Sequence, residues 1–288
     1  MRFSGRAGAC LTAAILSAIA AGPADADGES REVVRLPRED LFAPPLADLK
    51  QPRSHLTWQK YHLEFGDFDI ASVGFGDYLG FARWPGKGTG EGWQVGLNGS
   101  VFAIFNLDSD SHDLINADYV VGFPASFRAG AWSARARLYH LSSHLGDELL
   151  LNPQPLSPPK RINLSYEAIE LIAARQWGGW RAYAGGVHIL LSDTPLRRNR
   201  VQVGFDYEGG SFLGGAASFV AGADVEAWNE TNWSREVSLK AGILLKSTDV
   251  AGRPLQILAE YYHGHVPHGQ FFENVKVEYF GLGISLQP

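Results

Sequence analysis

Cysteine and methionine are nearly absent from this chain: there is one of each, Cys10 and Met1, both within the first ten residues. No disulfide framework can hold the fold together. Long apolar runs are also missing. Beyond residue 26 no stretch approaches the roughly 18 unbroken apolar residues that a membrane-spanning helix needs. Clusters of basic residues are lacking, and the formal net charge of −6 argues against a nucleic-acid partner.

The apolar run that does occur is N-terminal. Arg2 and Arg6 precede it, it extends from about Ala7 to Ala20, and Ala24-Asp25-Ala26 follows as an A-x-A site. This is the pattern of a cleaved secretory signal over residues 1–26, with cleavage expected after Ala26. Residues 27–54 are charged and contain Pro37, Pro44, Pro45 and Pro52, so they read as an extended periplasmic lead-in. The remainder, 55–288, is rich in Gly (33) and aromatics (8 Trp, 10 Tyr, 16 Phe), a mixture suited to strands and turns.

From there the chain alternates with period two. In "GWQVGLNGSVFAIFNLD", Trp93, Val95, Leu97, Val101, Ala103 and Phe105 share one parity, and Gln94, Asn98, Ser100 and Asn106 the other. "RVQVGFDY", "EVSLKAGILLK" and "PLQILAEYY" repeat the scheme. The expected strands run about 10–14 residues, long for a globular protein. Their polar faces carry charges at mid-strand, among them Arg135, Arg137, Lys240 and Glu260. Tight joints at 128–130, 177–179 and 208–210 interleave with longer ones at 107–115, 144–160, 193–199, 226–235 and 264–273. Together these predict an all-β fold: a single transmembrane antiparallel β-barrel of about 12 strands, with short periplasmic turns and longer outer loops. The chain departs from many such barrels in ending Leu286-Gln287-Pro288, without a terminal aromatic.

The strings "LFAPPLADLKQPR", "YHLSSHLGDELLL", "RINLSYEAIEL" and "EYYHGHVPHGQFF" resemble a family of uncharacterised bacterial outer-membrane proteins, domain of unknown function 1207. The resemblance covers nearly all of the chain after the signal. It implies an envelope barrel in the outer membrane, with outer-membrane lipids as partners, and brings no activity with it.

The stretch "WSARARLYHLSSHLGDE" carries the chemistry. Trp132, Ala134, Ala136, Leu138, His140 and Ser142 share a face; Ser133, Arg135, Arg137 and Tyr139 share the other. If the arginines face the lumen, His140 and Ser142 face lipid near the outer boundary of the fifth barrel strand. At i, i+2 on a strand the two lie about 7 Å apart at their Cα atoms, close enough for an imidazole to take the hydroxyl proton. This spacing is similar to the H-x-S strand of the outer-membrane phospholipase A and lipid A deacylase families. By that resemblance His140 is the base, Ser142 the nucleophile, and Asp147, seven residues after the histidine, a Ca²⁺ ligand. Glu148 is a second candidate Ca²⁺ ligand beside it.

A hydrolase of this kind needs a third group to orient the histidine. Asn163 is the candidate, yet the pattern of "RINLSYEAIEL" sends Ile162, Leu164, Tyr166 and Ala168 to lipid and Asn163, Ser165 and Glu167 inward. A hairpin centred on residue 152 would set Arg137 against Glu167 in the lumen, leaving the triad one member short and Glu170 unexplained. The expected lumenal charge network is therefore Arg135, Arg137, Glu167, Asp224, Lys240 and Glu260.

Three further clusters are less specific. His263, His265 and His268 suit a divalent metal, but polar loop residues facing water are the commoner meaning. Asp108, Asp110 and Asp113 lack EF-hand spacing. "GKGTGEG" is not followed by GK[ST] and so is no phosphate cradle. On balance the sequence ranks a structural or scaffolding envelope component, or a narrow pore, ahead of an outer-leaflet lipid acyl hydrolase using Ser142 and His140. It leaves monomer and homodimer both open.

Overall fold

The computed structural model describes residues 32–151, 161–250, 252–271 and 275–287. The expected signal at 1–26 lies outside the described residues. After a two-residue strand β1 (Val34–Arg35) come twelve longer strands. They are β2 (His55–Leu63), β3 (Gly66–Pro85), β4 (Gly92–Asn106), β5 (Leu114–Ala129), β6 (Trp132–Leu145) and β7 (Ser165–Trp177), then β8 (Trp180–Ser192), β9 (Asn199–Phe212), β10 (Ala217–Trp228), β11 (Ser234–Val250), β12 (Arg253–His265) and β13 (Lys276–Leu286). A five-residue helix α1 (Asp147–Leu151) follows β6. Each barrel strand pairs antiparallel with its neighbours in sequence, and β13 pairs with β2. The sheet is closed, so every backbone donor and acceptor within the wall has a partner strand and no barrel edge is left open. Among the described residues no helix is long and apolar enough to cross a membrane.

Closure follows from the period-two pattern. Leu56, Phe75, Leu79, Val121, Phe123, Leu171, Val203, Ile257, Leu282 and Ile284 project outward, exposed, from the strands. Gln94, Asn98, Ser100, Arg135, Arg137, Lys240 and Glu260 are buried inside. The turns β5–β6, β7–β8, β9–β10 and β11–β12 lie at the same end as Leu286 and the start of β2, whereas the connections after β4, β6, β8, β10 and β12 gather at the other. At the short-turn end Trp93, Trp132, Trp177 and Trp180 stand exposed on the outside, an aromatic girdle at one boundary of the apolar band. One expected joint moves. β9 continues past Glu208–Gly210, and the turn falls at Leu213–Gly215, where Gly214 and Gly215 take φ of 66° and 96°.

The stretch expected as an extended periplasmic lead-in instead enters the bore. β1 pairs with Ala82 and Arg83 at the end of β3, and the chain then runs up inside the barrel. It turns at residues 49–50 and returns to begin β2 at His55. Leu41, Phe42, Leu46, Ala47, Asp48, Gln51 and Arg53 are all buried. The reason lies partly in β3, whose inward positions include Gly74, Gly76 and Gly80. A Cβ at Gly76 would sit 2.7 Å from the Arg53 amide nitrogen, and one at Gly80 would sit 2.4 Å from the Pro37 carbonyl oxygen. The wall is thinned where the inserted backbone passes.

The plug is held by polar contacts that replace water for lumenal side chains. Asp206 accepts from the Leu46 amide at 2.9 Å, Asp48 Oδ2 accepts from Gln202 Nε2 at 2.8 Å, and Gln51 Oε1 accepts from Arg135 Nη2 at 2.7 Å. Phe42 lies beneath the Arg135 guanidinium, 4.9 Å from ring centre to Cζ. At the far end Leu149 of α1, Val266 and Phe271 fold inward onto Tyr61, Ile70, Ile104, Tyr262 and Tyr279, an apolar layer across the outer mouth. Plug and outer loop meet at Asp118, which takes Lys50 Nζ at 2.5 Å and the Gly269 amide at 3.1 Å. A void of about 90 Å³ remains beside Arg137, Tyr166, Arg200 and Glu226. The bore is filled.

Candidate functional site on the outer face of β6 and β7

Two clusters of charge lie back to back across the wall where β6 meets β7. Inside, Glu170 Oε1 accepts from Arg135 Nε at 3.1 Å and Nη2 at 2.7 Å, and Glu170 Oε2 accepts from Arg137 Nη2 at 2.6 Å. Lys240 and Glu260 pair at 2.9 Å further round the wall, with Gln59 Nε2 donating to Glu260 Oε2 at 3.2 Å. Asp224 accepts from the Tyr183 hydroxyl at 2.7 Å.

Glu167 is not part of the lumenal set. The register is Arg137↔Glu170 and His140↔Glu167, three residues away from the pairing expected from charge. An odd shift turns every side chain of a strand to the opposite face. Thus Leu164, Tyr166, Ala168 and Glu170 face in, while Glu167, Ile169 and Leu171 face out. Hydrophobicity misled here because the outer half of the bore has an apolar layer of its own. Leu164 and Tyr166 pack there with Phe102, Val120, Tyr139, Leu141, Val187 and Ile189. Glu170 pairs with both arginines, reaching Arg137 through Nη2 alone, and Glu167 is left outside.

Outside, the parity of β6 carries His140, Ser142 and His144 in a row. His140 Nδ1 lies 3.1 Å from Glu167 Oε1, with the two side chains 41% and 46% exposed. Ser142 Oγ lies 3.0 Å from His144 Nε2. Tyr119, across from Ser142 on β5, presents an edge-to-face contact to the His144 ring at 5.6 Å. Behind Glu167 the β7–β8 register shifts between Glu167 and Ala168, a bulge of the kind that re-aims a side chain. Below this polar patch the outward residues are Leu138, Ile169, Leu171, Val121 and Phe123. Some ten residues separate Ser142 from Trp132. At ~3.4 Å per residue and a tilt of ~40°, that is a rise of roughly 26 Å, the height of the apolar band. Ser142 therefore stands at its outer boundary.

Asn163, expected to face inward, is exposed and engaged elsewhere. Its Nδ2 donates to Asp193 Oδ2 at 2.9 Å. The place opposite His140 belongs to Glu167 instead. Asp147 and Glu148 stand exposed in the first turn of α1. Among the described residues no three His, Cys, Asp or Glu side chains gather as metal ligands. The three C-terminal histidines separate. His263 is exposed beside Glu278, whereas His265 and His268, expected to face water, are buried, His265 near Glu236 at 3.5 Å.

A closed twelve-stranded antiparallel barrel of the outer-membrane type, its bore filled and a polar patch on its outer wall, is the class that these features define. Within it, the chain belongs to the DUF1207 family of proteins of unknown function, which matches residues 29–287. Solved structures with the same fold include the outer membrane phospholipase A from Escherichia coli, at 13% identity and TM-score 0.52, covering 85% of this chain and 91% of that one. The Salmonella typhi outer membrane phospholipase dimer with bound calcium gives the same identity and TM-score, covering 85% and 92%. No curated protein matches this chain.

Proposed function

We propose that this protein is a serine-dependent lipid acyl hydrolase of the outer membrane, cleaving acyl esters at the outer leaflet. The observation that carries the reading is the His140 Nδ1–Glu167 Oε1 contact of 3.1 Å on the lipid-facing wall, one strand position below Ser142 on the same face. Nδ1–H donating to the carboxylate fixes the tautomer that leaves Nε2 as a base, and the carboxylate stabilises the imidazolium that forms.

Ser142 Oγ attacks the ester carbonyl as its proton passes to His140 Nε2. The bond from the carbonyl carbon to the alcohol oxygen breaks, and that oxygen takes the proton from His140. Water, deprotonated by His140, then adds to the acyl carbon; the bond from that carbon to Ser142 Oγ breaks, the fatty acid leaves, and His140 returns the proton to Oγ. Both phospholipase structures with this fold support a lipid substrate, and the height of Ser142 supports attack at the level where ester groups lie.

Purified barrel in mixed micelles with phosphatidylethanolamine, with and without Ca²⁺, is expected to release fatty acid. Ser142→Ala should abolish release, and Glu167→Gln should lower kcat by about 10²- to 10⁴-fold. Equal release by wild type and Ser142→Ala overturns the proposal. The filled bore favours a second reading, a non-conducting structural barrel, over the narrow pore. Under it, neither substitution changes anything in this assay.

A further inference from the structure

We infer that His144 is the oxyanion donor of this site, a role that rests on the hydrolase reading above. Ser142 lies between two imidazoles on one strand face, and their surroundings differ. His140 holds a carboxylate at Nδ1. His144 has the Ser142 hydroxyl at Nε2 and the edge of Tyr119 beside its ring, and among the described residues no carboxylate contacts it.

Glu167 fixes the His140 ring through Nδ1, as the third member of a triad does, whereas His144 is engaged at Nε2 by the serine itself. The two rings therefore divide the work. His140, backed by Glu167, gains and returns the proton. His144 uses Nε2–H as a hydrogen-bond donor throughout.

The 3.0 Å contact fits this division. With His144 Nε2–H donating to Ser142 Oγ, the serine proton is free to point down the strand toward His140. As Oγ bonds to the carbonyl carbon, the C=O π pair moves onto oxygen, and the oxyanion forms on the same carbon that Oγ now holds. His144 Nε2, 3.0 Å from Ser142 Oγ, turns its N–H from that oxygen to the neighbouring oxyanion as the new bond forms. When the tetrahedral intermediate collapses, the pair returns to the carbonyl, the alcohol leaves with the proton from His140, and the acyl group stays on Ser142. His144 neither gains nor loses a proton. A single preorganised donor of this kind contributes about 10²- to 10³-fold in kcat.

The test uses the full barrel in mixed micelles with phosphatidylethanolamine, measuring kcat and KM from pH 5 to 9. His144→Ala is expected to lower kcat by about 10²- to 10³-fold, with KM changed much less and the acid limb of the pH profile kept. His144→Gln, whose amide donates but does not titrate, is expected to recover at least tenfold over the alanine variant. Full activity in His144→Ala overturns the inference. So does a glutamine variant as poor as alanine that has also lost the acid limb, because His144 would then be the base. Activity that survives Ser142→Ala instead removes the hydrolase reading beneath it, so the two failures are distinguishable.

Discussion

Replacing Glu170 with Gln takes the charge from a carboxylate shared by two buried guanidiniums. Its oxygens accept at 2.7 Å from Arg135 and 2.6 Å from Arg137, and all three side chains are 1–3% exposed. Solvent screening offers almost no discount. Gln fills the same volume, but its amide nitrogen must face a guanidinium donor, and two cations lose their counter-charge. Removing one partner of a buried pair costs about 3–5 kcal/mol. Arg135 keeps Gln51 and the Phe42 ring, and Arg137 keeps the Tyr139 ring at 4.7 Å, which offset part of the loss. The expected destabilisation is about 4 kcal/mol. Glu167→Gln, three residues away on the exposed outer face, is expected to cost less than about 1 kcal/mol. Urea unfolding of the barrel from lipid vesicles, followed by tryptophan fluorescence, measures both. A Glu170→Gln barrel within ~1 kcal/mol of wild type, or a larger loss for Glu167→Gln, would refute the assignment of faces on β7.

Two further outcomes concern the filled bore. Lys50→Met strips the cation from the buried Asp118; a loss of about 3 kcal/mol in plug docking is expected, seen as flickering conductance in planar bilayers where wild type is silent. Burial, with the Lys50 ammonium adding to it, pushes the His268 imidazole down to about 3 while Asp118 pulls the other way. The docked loop thus refuses a proton that the undocked loop accepts below about 6.5. Docking is fully stable above that pH and weakens as pH falls from about 6.5 toward 3. Hydrogen exchange in residues 266–271 should rise from pH 7.5 to 5, and His268→Gln should flatten the dependence.

The sequence by itself determined the barrel. Strict alternation over long segments, charges at mid-strand and unequal joints leave one arrangement in which apolar residues meet lipid and ionised ones meet the interior. It also set the facing of β6, because Arg135 and Arg137 there outweigh any other preference, and with them His140 and Ser142 were assigned outward. Only the tertiary structure decided the rest. The register of β6 on β7 spans a long connection whose length does not fix the hairpin centre, and an odd shift reverses a face. Tyr166 and Leu164 look lipid-facing in the sequence because apolar side chains suit lipid, yet the upper bore carries an apolar cluster of its own in which they pack. Glu167 consequently appeared to be a lumenal charge when it is the partner of His140. The plug was hidden for a related reason. A charged, proline-dotted segment reads as solvated chain, and only the polar groups lining the bore, with the glycines of β3 making room, turn it into filling.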